Sequence, residues 1–260
     1  LIVYMICFQL FKSEELLNSP LNKRQAEVEE QIIRGPILSS DEQVLAQTVS
    51  DPGTEDGRYR VYPFYSLFAH TVGYYIYGGS GLESSHNNDL LQSHSSIVSQ
   101  VKNELKDEKK QGDSLVTTMR VPLQQAASDA LSGMKGSVVV MDTDTGKILA
   151  NVSSPSFDPN TIEQDWDILT QDESGVFLNR SMQGLYPPGS TFKIVTALAY
   201  LRTYGSFDGF SYECTGSYEC GGFTIHCANG NVHGYETMAD AMANSCNCAY
   251  SYIACELLEP

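Results

Sequence analysis

The chain has 260 residues, 16 basic and 32 acidic, for a formal net charge of −16; this excludes a protein that grips nucleic acid by its phosphates, which needs a basic face. At 42% hydrophobic and 18% charged it is too apolar for wholesale disorder, and it is long enough for one large domain or two ordinary ones. Residues 1–120 hold 11 basic and 16 acidic groups and residues 121–260 hold 5 and 16, so any cation in the second half stands out.

Leu1–Phe11 is almost entirely apolar and is followed at once by Lys12, Glu14 and Glu15. A bilayer span needs about 20 apolar residues, so this run suits the outer remnant of a membrane anchor, a signal-peptide core or a short buried helix. No small-residue cleavage site follows. The truncated anchor is the preferred reading, and it puts the rest outside the membrane.

Residues 12–33 predict a helix, with Leu16, Leu17, Leu21, Val28 and Ile32 at near-helical spacing and Pro20 as an interruption. From Arg34 to about Gly81 the texture turns to Gly, Pro, Tyr and β-branched residues, which predicts short strands and turns in a separate, irregular module. His86–Gln111 is polar and charged and reads as a solvated face. Pro122–Leu131 predicts a helix with proline in its first turn, ended by Gly133 and Gly136. Ser137–Asp142 and Lys147–Ser153 predict a hairpin around Thr143-Asp144-Thr145-Gly146. Residues 154–189, with Asp158-Pro159-Asn160 and the lone Trp166, read as loop-rich.

The chemistry concentrates in Tyr186–Leu201, YPPGSTFKIVTALAYL. Pro187, Pro188 and Gly189 force a non-helical approach, after which Ser190 opens a helical run. Ser190 and Lys193 are three residues apart, so on a helix they share a face and can touch. A serine hydroxyl needs a base, and a lysine serves if burial lowers its pKa; Phe192, Ile194 and Val195 are the apolar neighbours expected to bury it. The helix N-terminus favours negative charge developing nearby. Taken alone, Ser-x-x-Lys is also what a helix cap beside a surface charge looks like. A second element, Ser245-Cys246-Asn247, falls between two helical stretches, ETMADAMAN and CAYSYIACELL, where a hydroxyl can relay a proton and a carboxamide can hold both an amine and a substrate amide.

Ser-x-x-Lys followed by a Ser-x-Asn element is the order found in penicillin-binding proteins and class A β-lactamases. The wider context, NRSMQGLYPPGSTFK, GSVVVMDTDTGKILANVSSPSFDPN and TIHCANGNVHG, resembles the class B penicillin-binding proteins. Arg34-Gly35-Pro36-Ile37 and Gly79-Ser80-Gly81-Leu82-Glu83 resemble the pedestal, or dimerisation, module of those proteins. The resemblance implies an α+β fold. An anchor remnant (1–11) and an irregular pedestal (12–120) would precede the first part of a serine β-lactamase/transpeptidase-like domain (121–260), built of helices around an antiparallel sheet. It implies a peptidoglycan D,D-transpeptidase held at the cell membrane by a single-pass anchor, with extracytoplasmic domains. Ser190 would attack the D-Ala-D-Ala stem peptide, Lys193 would be its base, Ser245 a proton relay and Asn247 an anchor for substrate and lysine. β-Lactam antibiotics would acylate the same serine, other cell-wall synthesis proteins are partners, and no cofactor is needed. A β-lactam sensor, a β-lactamase-like hydrolase and a cell-wall scaffold are the alternatives.

No Lys-Thr-Gly occurs in the 260 residues. The resemblance puts that third motif on a later strand that supplies one oxyanion-hole N–H, whose loss costs on the order of 100- to 1000-fold in rate. The expectation is therefore an inactive fragment with half a site and a sheet reduced to the 137–153 hairpin, its apolar edges exposed.

Six of seven cysteines lie between Cys214 and Cys255 without any Cys-x-x-Cys, which argues against a structural zinc site. If a disulfide forms, Cys214 with Cys227 is the favoured pairing, and free buried thiols are expected at least as readily. His226 and His233 read as structural, hydrogen-bonding residues.

Overall fold

The computed structural model describes residues 4, 5, 8, 32–51, 53, 57–94 and 110–258. Most of the expected anchor remnant, most of the 12–33 helix and residues 95–109 lie outside the described residues. Among those described, no helix is long and apolar enough to cross a membrane. The chain forms two compact units that divide between Leu185 and Tyr186.

In the first unit, β1 (Ile32–Ile33) pairs in parallel with β5 (Lys110–Gln111), so the end of the expected helix is strand. β2 (Ile37–Leu38), β3 (Val44–Ser50), β4 (Arg58–Val61) and β6 (Leu115–Val116) make a four-stranded sheet in the order β4-β3-β2-β6, antiparallel except between β2 and β6. Strands were expected through Gly81, yet Tyr65–Phe68 and Ala69–Val72 are helical turns. Packing overrides β propensity here, since Phe68, Ala69 and Val72 are all buried. His86–Gln111 is also less solvated than expected, because Leu90 and Leu91 in it are buried.

The two pedestal-like motifs meet in the interior. Glu83, on the short helix Gly81–Ser85, is fully buried and accepts from Arg34 Nε at 2.6 Å and Arg60 Nε at 2.8 Å. Arg34 also binds Asn87 Oδ1 and the Glu83 carbonyl, while Arg60 Nη1 reaches the Gly35 carbonyl at 2.9 Å. One carboxylate thus ties β4, the Arg-Gly-Pro-Ile segment and a helix together. Gly81 permits the approach: its φ is +58° and a Cβ there would sit 2.6 Å from the Thr71 carbonyl oxygen.

The expected helix and hairpin are present as Val121–Leu131 and as β7 (Gly136–Met141) antiparallel to β8 (Ile148–Ser154). The turn is held by Asp142, whose Oδ1 accepts from Thr145 N and Asp144 N. Helix and hairpin share a small core of Ala127, Leu131, Ala150 and Val152. Buried Gln124 covers the β8 edge, accepting from Asn151 N and donating to Asn151 O at 2.8 and 2.9 Å, so that stretch of edge is not bare. The segment read as loop-rich contains the helices Ile162–Thr170 and Arg180–Gln183. In the first, Ile162, Trp166 and Leu169 recur at helical spacing and pack with Tyr74, Phe157 and Phe177.

The second unit contains a long helix, Phe192–Tyr204, and two β-ribbons. β9 (Tyr212–Cys214) pairs with β12 (Gly234–Glu236), and β10 (Ser217–Cys220) with β11 (Phe223–His226), both antiparallel. Helix Met238–Ala243 starts with a Thr237/Asp240 capping box, and helix Asn247–Tyr252 runs on into a wider turn, Ile253–Leu257. The core gathers Ala197, Tyr200, Phe210, Met238, Tyr250 and Ile253 with four cysteines.

Removing the central carboxylate strands two buried guanidinium groups. Glu83→Ala is expected to cost about 3–5 kcal/mol in chemical denaturation, and a loss under about 1 kcal/mol contradicts this account.

Candidate functional site

Ser190 lies in a single 3-10 turn, Gly189–Thr191, immediately ahead of the α-helix rather than on its first turn. The preceding Gly189 has φ +57°, which lets the chain turn sharply from the diproline into the helix. The Ser190 side chain is exposed.

Lys193 is one turn further on and is buried, 9% exposed. The apolar neighbours named from sequence do not bury it: Phe192, Ile194 and Val195 are all more than half exposed. They point off the opposite face, while Lys193 points inward, with the Tyr250 ring 5.8 Å from Nζ. Burial pushes its pKa below the ordinary lysine value, and the neighbouring Cys246, Cys227 and Cys248 sulfurs and the Glu236 carboxylate pull it partly back.

All three amine contacts go to the second motif. Nζ donates to Ser245 O at 2.6 Å, Asn247 Oδ1 at 2.7 Å and Ser245 Oγ at 2.9 Å. Ser245 Oγ then lies 3.1 Å from Ser190 Oγ, and Asn247 Nδ2 donates to the His226 carbonyl at 2.9 Å. The structure therefore brings together Ser190, Lys193, Ser245 and Asn247. It corrects one detail: the lysine does not bond Ser190 directly, because an α-helical turn displaced past the 3-10 segment leaves room for the Ser245 hydroxyl between them.

Ser245 owes its place to a helix ending. It follows Asn244, the C-cap of helix Met238–Ala243, and Ser245 itself has φ +51°. Ser245 N bonds Met242 O at 3.1 Å and Cys246 N bonds Ala241 O at 2.9 Å, the paired bonds of a Schellman ending whose left-handed position glycine usually fills. A serine there is strained, a feature that clusters at functional sites. Cys246 then caps the next helix, its sulfur accepting from Ala249 N, and Asn247 starts that helix facing the lysine.

What sequence reasoning missed is that a layer of cysteines lies beneath the amine. Cys214, Cys227, Cys246 and Cys248 are free and buried, as the free-thiol reading expects, and the Cys214 and Cys227 sulfurs, the favoured disulfide pair, stand unbonded 3.7 Å apart. The bond formed is Cys220–Cys255, which joins β10 to the turn after the last helix. Cys220 ends one strand of a hairpin that faces that turn, whereas Cys214 and Cys227 point into the core; sequence spacing carries no sign of either direction.

Two family models match the chain. Residues 34–115 match the penicillin binding protein A dimerisation domain, and residues 136–259 match the penicillin binding protein transpeptidase domain. This chain belongs to the penicillin-binding protein family. The peptidoglycan D,D-transpeptidase PbpA of Mycolicibacterium smegmatis is 35% identical over 213 residues, covering 75% of this chain and 42% of that protein. PbpA of Mycobacterium tuberculosis is 31% identical over 266 residues, 93% of this chain and 53% of the relative. Among solved structures, penicillin-binding protein A from M. tuberculosis as a ceftriaxone acyl-enzyme complex superposes with a TM-score of 0.79 at 27% identity, covering 89% of this chain and 56% of that one. The D,D-transpeptidase domain of a peptidoglycan glycosyltransferase from Eggerthella lenta gives 0.65 at 34% identity, covering 81% and 47%. The chain spans about half the length of the relatives it matches. The mixed α and β architecture, with small and incomplete sheets, fits this membership.

Two measurements test the geometry. Ser245→Gly and Ser245→Ala both lose the hydroxyl, but only glycine relieves the left-handed backbone, so the glycine variant should be the more stable by about 1–2 kcal/mol in denaturant melts; equal stabilities would refute the strain. Peptide mapping without reductant should recover Cys220 linked to Cys255. Reducing that bond, which spans 35 residues, should cost about 4 kcal/mol, and a linked Cys214–Cys227 peptide would overturn the assignment.

Proposed function

We propose that the intact protein is a serine-type peptidoglycan D,D-transpeptidase that β-lactams inhibit by acylating Ser190. The observation that carries this reading is the chain of contacts from Ser190 through Ser245 to the buried Lys193 amine. Family membership and the names of the relatives support it.

The amine has three acceptors within 2.9 Å, which suits an ammonium, while burial favours the neutral form. A neutral amine donates to the Ser245 carbonyl and Asn247 Oδ1 and turns its lone pair to the Ser245 hydroxyl. Ser190 Oγ attacks the carbonyl carbon of the D-Ala-D-Ala peptide bond. Its proton passes to Ser245 Oγ as the Ser245 proton passes to Lys193 Nζ. The backbone N–H of Ser190 faces the developing oxyanion. The carbon–nitrogen bond then breaks, and the proton returns along the same path to the departing D-alanine amine. An amine of a neighbouring stem peptide attacks the Ser190 ester and restores the hydroxyl. Asn247 spends one N–H on the His226 carbonyl, leaving the other for a substrate amide.

In this reading residues 12–120 are the pedestal and 121–260 belong to the transpeptidase domain. The apolar stretch 1–11 is part of a membrane tether, with the domains on the outer face of the membrane beside other cell-wall synthesis proteins. The exposed apolar face of Phe192, Ile194, Val195 and Leu198 is covered by the remainder of that domain.

The test is labelling of the full-length protein by fluorescent penicillin. Ser190→Ala should abolish the label. Ser245→Ala and Ser245→Gly should slow acylation about 100-fold or more while the proteins stay folded. The acylation rate should rise with pH as Lys193 loses its proton, with an inflection below the ordinary lysine value of 10.5, and Lys193→Met should remove that limb. Labelling that survives in Ser190→Ala would sink the proposal, and rapid turnover of the label would favour a hydrolase.

A further inference from the structure

Three of the chain's 16 basic residues gather around one small hollow in the first unit. It encloses about 110 Å³, and Arg34, Arg58, Arg60, Thr48, Tyr59 and Tyr75 line it. Among the described residues no acidic side chain does. Side chains alternate along a strand, so Arg58 and Arg60 on β4 and Tyr62 just beyond it share a face. Arg34 and Arg60 share the single carboxylate of Glu83 on its inner side. Three guanidinium groups around a hollow without acids focus a positive potential there, in a chain whose net charge is −16.

Two buried donors on this face lack acceptors. The Arg60 side chain is 2% exposed. Its Nε donates to Glu83 and its Nη1 to the Gly35 carbonyl at 2.9 Å and Thr48 Oγ1 at 3.1 Å, but Nη2 has no partner among the described residues. Tyr62 is 4% exposed, and its phenol oxygen is unpartnered in the same way. Burial and the Glu83 carboxylate push the phenol pKa well up, so it stays a donor. Buried donors without acceptors are uncommon in folded proteins and call for a cause. A second hollow of about 340 Å³ adjoins the first, with Tyr59, Arg60 and Tyr75 common to both. Tyr62 lines it, as do Asp51, Asn160, Glu163 and Gln164. Those acids and amides suit the N–H groups of a peptide backbone, whereas two carboxylates repel the second charge of a phosphate.

We propose that this face of the first unit binds the carboxylate end of a peptide, with the carboxylate oxygens among Arg34, Arg58 and Arg60 and the preceding residues along the tyrosine-lined hollow. Arginine suits the role because its planar fork matches the two oxygens of a carboxylate. The smaller hollow takes the charged group and the larger one the chain that carries it. Arg60 Nη2 is out of water, so an entering oxygen displaces a side chain at the rim. Tyr59 and Tyr75, 46% and 41% exposed, are the ones that can turn outward. Binding is reversible and makes or breaks no covalent bond. Ser190 belongs to the other unit, and this site does not rest on the acyl-transfer reading.

Calorimetric titration of the full-length protein with N-acetyl trialanine, with its C-terminal amide and with inorganic phosphate tests this. The free acid should bind with a dissociation constant on the order of 1 mM, and the amide about 10-fold or more weakly, since it lacks the charge that strengthens hydrogen bonds to arginine. Phosphate should bind less tightly than the acid. Arg58→Gln should weaken the acid about 10-fold and Tyr62→Phe about 3- to 10-fold, whereas Ser190→Ala should bind as the wild type does. Equal binding of acid and amide overturns the proposal, as does no binding of either up to about 20 mM. Phosphate bound more tightly than the acid makes this a phosphate site and overturns the peptide assignment. Acid binding untouched by Arg58→Gln, or lost in Ser190→Ala, places the peptide elsewhere and does the same. The wild-type difference between acid and amide decides even where a variant fails to fold, and Ser190→Ala separates this result from any failure of the acyl-transfer proposal.

Discussion

A single amine organises the second unit. Lys193 Nζ is out of water and spends its hydrogen bonds on a carbonyl, a hydroxyl and a carboxamide from one turn more than fifty residues later. A buried amine left without such partners carries a large desolvation cost, so the helix, the Schellman ending and the cap after it are mutually constrained. The same burial that makes the lysine costly also lowers its proton affinity. Structure and reactivity therefore draw on one arrangement, and loosening it for stability alters the acid–base behaviour as well.

The first unit uses the same logic with the charge reversed. Glu83 is sealed inside with two guanidinium groups against it, and three segments distant in sequence converge on it. Ion pairs of this kind contribute little net energy compared with a well-packed apolar core, but breaking one leaves charge stranded. That suits a module of short strands and single helical turns, whose apolar clusters are small and whose segments need a definite register.

Much of this was legible in the sequence because it is local. The helix at Val121–Leu131, the hairpin of β7 and β8, the diproline entry to Ser190 and the junction at Ser245 each follow from residues within about one turn of one another. What escaped depends on distance or direction. Ile162–Thr170 is a helix because aromatic residues from elsewhere cover Trp166, and Tyr65–Val72 coils because its buried face meets a sheet. Lys193 is buried by Tyr250 and the cysteine layer, fifty residues on, while its neighbours Phe192 and Val195 face out. The cysteine pairing failed for the same reason. Spacing gives loop lengths, whereas the choice among Cys214, Cys220, Cys227 and Cys255 is made by which sulfur each strand turns toward the core.

Ser245 occupies a slot that helix geometry reserves for glycine. Selection on folding alone would push the codon toward the residue with no side chain, and the hydroxyl persists only while something else demands it. In copies of this gene released from that demand, such as decaying duplicates or domains recruited as scaffolds, this is the position where erosion should surface first, well before the hydrophobic interior registers any change.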